Sequence, residues 1–61
     1  MTELEDLRTH ESIFALTAQK SKARYEAAKG TLSEMTLLAV YEANVWALER
    51  CRADIAARTK R

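Results

Sequence analysis

Gly30 is the only glycine in a chain that contains no proline. Elsewhere alanine, leucine, glutamate, lysine and arginine dominate, all good helix formers. The chain therefore has one natural place to turn and long stretches on either side with nothing to stop a helix. The spacing predicts an all-α fold, an antiparallel two-helix hairpin that is coiled-coil-like. Residues 1–61 are read as one such unit, with a helix over about 3–29, a turn at about 30–32 and a helix over about 33–58.

Local signals agree with that division. Thr2-Glu3-Leu4-Glu5 has the T-x-x-E form of a capping box, in which the threonine accepts from the Glu5 amide and Glu5 reaches back to the Thr2 amide. Asp6 adds negative charge where the helix dipole favours it. Thr9 to Ser12 is the weakest stretch, because it is rich in poor helix formers and is where a local break is expected if there is one. Gly30 is placed like the left-handed residue that ends a helix. Thr31-Leu32-Ser33-Glu34 then repeats the T-x-x-E start. A stop beside a start leaves a short link, and short links make antiparallel neighbours.

The second helix carries two apolar rows. Leu37, Tyr41, Asn44, Leu48, Cys51 and Ile55 recur at steps of four and three, the spacing of a helix laid against another helix. Met35, Ala39, Ala43, Trp46, Ala53 and Ala57 form another row on the opposite side. The first helix offers Leu4, Leu7, Glu11, Phe14, Ala18, Ser21, Tyr25 and Ala28 as a matching seam. Folding about Gly30 sets Tyr25 near Leu37, Ser21 near Tyr41, Ala18 near Asn44, Phe14 near Leu48, Glu11 near Cys51 and Leu7 near Ile55. Large residues then tend to meet small ones, as interdigitated layers require. Glu3, Glu5 and Asp6 come beside Arg58, Lys60 and Arg61. Asn44 and Glu11 are polar residues within the seam; such residues cost stability and often set register.

That pairing leaves Ile13, Leu16, Ala23 and Ala27 over on the first helix, and Met35, Ala39, Ala43 and Trp46 on the second, with Leu38 and Val45 at the margin. The converse arrangement, with the Trp46 row inside and the Leu37 row outside, is open to the same sequence. Either way one row stays uncovered, and uncovered apolar area marks an interaction surface. Met35, Ala39, Ala43, Trp46, Ile13 and Leu16 are the candidate partner-binding residues. Trp46 is the natural anchor, since tryptophan dominates many interfaces and small neighbours let a partner helix approach.

Size sharpens the need for a partner. A 61-residue domain buries only about 60% of its unfolded surface, and ordering costs roughly 1.5 kcal/mol per residue, about what apolar burial returns. One cysteine excludes an intrachain disulfide. Cys51 and His10 are the only soft metal ligands, too few for a zinc site, so no metal or cofactor is expected. A lone free thiol fits a reducing compartment. No apolar run is long enough for a transmembrane helix, and the acidic start is not a signal peptide. The net charge of +1 makes no demand for nucleic acid. Lys20, Lys22, Arg24 and Lys29 could contact phosphates, but they point several ways round a helix.

Nothing in the chain assembles a catalytic set. His10 has no companion on its own helix face and reads as solvent-exposed. Cys51 has no oriented base and reads as a small seam residue. Glu42 and Glu49, one heptad apart beside Arg50 and Arg52, read as a solvated face rather than an acid couple. The expected role is binding, not catalysis.

One resemblance covers nearly the whole chain. The start Met1-Thr2-Glu3-Leu4-Glu5, the break at Gly30 and the triplet Ala47-Leu48-Glu49 resemble the YscE-like co-chaperones of type III secretion needles. The glutamine-tyrosine pair of that family's second helix is replaced here by Glu34-Met35-Thr36. The resemblance implies a cytoplasmic hairpin that binds a larger chaperone with tetratricopeptide-like helices and helps keep the needle subunit monomeric before export. Leu32-Ser33-Glu34 with Leu38-Ala39-Val40-Tyr41 looks, more faintly, like the Hha-like nucleoid-associated modulators, though Glu42-Ala43-Asn44-Val45 stands where their AADHR-like segment would be. A homodimeric four-helix bundle of the Rop type is a third reading, needing no relative.

Overall fold

The computed structural model describes residues 2–59. Two helices, α1 (Glu3–Ala27) and α2 (Glu34–Thr59), fold back on each other as an antiparallel hairpin measuring 47 × 17 × 11 Å. Each helix runs without interruption. Thr9 and Ser12 do not break α1; their hydroxyls donate back to the carbonyls of Glu5 and Arg8, one turn earlier, and so are satisfied within the helix.

The N-cap of α1 forms in part as expected. Thr2 Oγ1 accepts from the Glu5 amide at 3.1 Å. The return contact differs: the Glu5 carboxylate takes the Thr2 hydroxyl at 3.1 Å, not the Thr2 amide. At the turn the departure is larger. α1 stops at Ala27, two residues before Lys29, and Gly30 is the third residue of a turn closed by the Thr31 amide donating to the Ala28 carbonyl at 2.9 Å. Gly30 has φ +86°, the left-handed conformation that disfavours a side chain. Glu34 does not complete a box with Thr31. Its carboxylate accepts instead from the Gly30 amide at 2.7 Å, while Thr31 Oγ1 donates to the Ala28 carbonyl at 2.6 Å. The turn thus uses the side chains of its start signal to satisfy its own backbone, and α2 begins three residues after Thr31.

The Leu37 row faces α1. Leu48 and Cys51 are buried, and Leu37, Tyr41, Asn44 and Ile55 are half-buried. Facing them, Ala18 and Ser21 are buried and Leu4, Leu7, Glu11, Phe14 and Tyr25 are half-buried. The cross-helix contacts near the turn sit about one helical turn further along α2 than Cα matching suggests. Tyr25 stacks on Tyr41, with ring centroids 6.5 Å apart and planes 7° from parallel, rather than on Leu37. Asn44 Nδ2 donates to Ser21 Oγ, where Ala18 was its expected neighbour. Side chains on a helix lean toward its N-terminus, so α2 residues reach back toward the turn. At the other end Cys51 Sγ donates to the Leu7 carbonyl at 3.2 Å, where Ile55 was the expected neighbour of Leu7, and Glu11 meets Arg52, the residue next to its expected neighbour Cys51.

Both polar residues of the seam are satisfied. Asn44 has Ser21, and Glu11 accepts from Arg52 Nε at 3.2 Å. Arg58 pairs with Glu3 at 2.6 Å at the open end. These exposed ion pairs contribute at most about 1 kcal/mol each. The contributions expected of Lys60 and Arg61 lie outside the described residues.

Candidate functional site

The surface left over by the seam is the candidate site. Trp46 stands two positions from buried Leu48, roughly 200° round the helix, and so points away from α1. It is 62% exposed, and Met35 on the same side is 78% exposed. Ala39 and Ala43 are exposed beside them. These four residues form one row on the outer side of α2. Leu38 and Val45 are half-buried at the seam margin.

Ile13 and Leu16, each 53% exposed, are not part of that row. Leu16 stands two positions from buried Ala18 and so lies on the side of α1 turned away from α2. The rod therefore has two outer apolar faces on opposite sides, and the six candidate residues divide between them. Leu32, fully exposed at the turn, and Val40 add apolar surface that the row spacing did not single out. Neither belongs to a repeating row, which is why periodicity missed them.

Trp46 is framed by charge. The Arg50 guanidinium lies 5.4 Å from the centre of its ring, a cation–π contact across one helical turn. On one side Trp46 lines a groove of about 300 Å³ with Phe14, His10, Ala47, Arg50 and Asp54. On the other it lines a smaller one, of about 240 Å³, with Tyr41, Glu42, Val45 and Glu49. The sequence signal for this framing was the one-turn spacing of Trp46 and Arg50 and the two-turn spacing of Glu42 and Glu49.

The remaining reactive side chains belong to the scaffold. Cys51 is 5% exposed. Burial pushes its thiol above the ordinary value of 9.0, with the negative charges of Glu11 and Asp54 adding to the shift. A thiol held in its protonated form and donating to a carbonyl is a poor nucleophile. His10 is exposed, with Phe14 one turn away and ring centroids 6.2 Å apart. Among the described residues no group of three or more His, Cys, Asp or Glu is placed to hold a metal ion. Among them, too, no helix is long and apolar enough to cross a membrane.

The fold and this surface together define a helical hairpin with two uncovered outer faces. Set against models of known families, characterised proteins and solved structures, the chain matches none of them.

Proposed function

We propose that this chain is a small co-chaperone. It binds a larger helical-repeat chaperone in the cytoplasm, and the pair helps keep a type III secretion needle subunit monomeric before export. The observation that carries the reading is Trp46, exposed in a row with Met35, Ala39 and Ala43 on the face turned away from α1. An exposed tryptophan among small residues suits a hot spot waiting for a partner. The YscE-like features at Met1–Glu5, Gly30 and Ala47–Glu49 supply the biological context.

The opposite placement of the two outer faces favours a particular shape of partner. A flat surface covers one face of a rod. The concave surface of a helical-repeat protein can wrap a rod this narrow and touch both. The same placement weighs against a Rop-type dimer built on these rows, since one isologous contact buries only one of the two faces.

Affinity capture from the source organism tests the reading. The tagged chain should retain a tetratricopeptide-like protein and a needle subunit, and Trp46→Ala should lose both while keeping its helical circular dichroism. Capture of neither by the wild-type chain would overturn the assignment. Unfolding of the isolated chain by Trp46→Ala would overturn the role given to that face.

A further inference from the structure

The two outer faces differ in charge as well as position. From Ser12 to Tyr25, α1 contains no carboxylate. Lys20 and Arg24 follow Leu16 at successive steps of four and therefore extend the Ile13–Leu16 face. All four of these residues are exposed. On α2, Glu42 and Glu49 precede and follow Trp46 by four and three positions and stand on its outer face, also exposed. The one cation there, Arg50, is engaged over the Trp46 ring. Among the described residues, ion pairs join Arg52 to Glu11 and Arg58 to Glu3; Lys20, Arg24, Glu42 and Glu49 are in none.

We propose that the outer face of α2 docks on the outer face of α1 of a second copy of this chain. Trp46 and Met35 would pack against Leu16, Ile13 and the small residues Ala23 and Ala27, with Glu42 and Glu49 facing Lys20 and Arg24. The charges also select against the alternatives. Two copies meeting through their α2 faces in antiparallel fashion bring Glu42 and Glu49 of each to the same edge of the contact, and two α1 faces bring cation to cation. The contact is heterologous: one copy is left with a free α1 face and the other with a free α2 face, so association continues into a ring or an open series instead of stopping at a dimer. This goes beyond the co-chaperone reading and does not depend on it. A hetero-partner that covers Trp46 simply competes for the same face.

Sedimentation of the purified chain across the micromolar range tests this, with the emission of Trp46, the only tryptophan, as a second readout. Average mass should rise with concentration through more than two species, the emission should shift to the blue in step, and high salt should weaken association roughly tenfold. The double variants Glu42→Lys/Glu49→Lys and Lys20→Glu/Arg24→Glu should each stay monomeric with unchanged helicity. Their equimolar mixture should associate, because each then offers the face the other needs. A wild-type chain that remains monomeric throughout would overturn the proposal. So would a single salt-insensitive dimer, or variants that associate as the wild type does. Salt dependence of the wild-type chain decides the matter even if a variant fails to fold. Loss of self-association with retained capture of the chaperone would sink this inference alone; self-association without any such capture would sink the co-chaperone reading alone.

Discussion

The inner and outer rows of α2 have nearly the same spacing and opposite fates. The inner row buries Leu48 and Cys51 against α1, while the outer row leaves Trp46 62% exposed. Periodicity alone does not separate them. Fit does: at its centre the inner row offers Asn44, Leu48 and Cys51 to an α1 seam whose centre is Phe14, Ala18 and Ser21, and it brings Asn44 to a hydroxyl that can accept its hydrogen bond. A tryptophan in that seam would push the helices apart and leave Ser21 without a partner. A face is thus core or interface according to what the other helix can accommodate.

Several substitutions bear on this contrast. Leu48→Ala has the largest expected effect. It removes a buried side chain from the middle of the seam and should cost about 2–3 kcal/mol, enough to abolish most helicity of an isolated hairpin by circular dichroism. A mild effect would show that the inner row is not the core. Asn44→Ala should cost about 1 kcal/mol in a denaturant titration, because Ser21 loses its partner in a buried position. Asn44→Ala with Ser21→Ala should recover part of that loss, which separates a paired polar site from simple truncation. Gly30→Ala should cost about 1 kcal/mol by the same titration. An added Cβ there meets nothing within 4 Å, so the penalty is one of backbone conformation alone.

Cys51 offers a pH test. Its folded-state value lies above the unfolded one, so the native state holds the proton longer. The stability linked to the protonated thiol is fully present below the unfolded value of 9.0 and falls as pH rises beyond it. Cys51→Ser should flatten that alkaline decline in thermal melts, whereas an identical decline in both proteins would remove the thiol from the account. Trp46→Ala closes the series. The structure calls for a change in stability within about 0.5 kcal/mol, since the ring is 62% exposed and lies at the rim of the grooves beside the seam rather than inside it.

Some of the apparent defects were readable in advance and others were not. Asn44 and Glu11 stood out as polar residues in an apolar row, yet their partners came from different helices and different logic. Ser21 belonged to the predicted seam, but the expected register set it beside Tyr41. Arg52 lay outside the rows altogether and reaches in from the seam edge to Glu11. The turn shows the same limit. Gly30 was legible as the break, because only glycine takes φ +86° without strain. Which backbone group Glu34 would satisfy was not, since that depends on where α1 unwinds.

The sequence by itself determined two helices, their antiparallel sense and the existence of more apolar surface than one seam can cover. Those follow from breaker positions and three-and-four spacing, which are local properties of the chain. Only the tertiary structure decided that Leu48 is inside and Trp46 outside, that Asn44 meets Ser21, and that Ile13 and Leu16 lie on the opposite side of the rod from Met35 and Trp46. Those depend on the volumes, leans and hydrogen-bonding groups of side chains far apart in sequence, which become neighbours only once the two helices are packed.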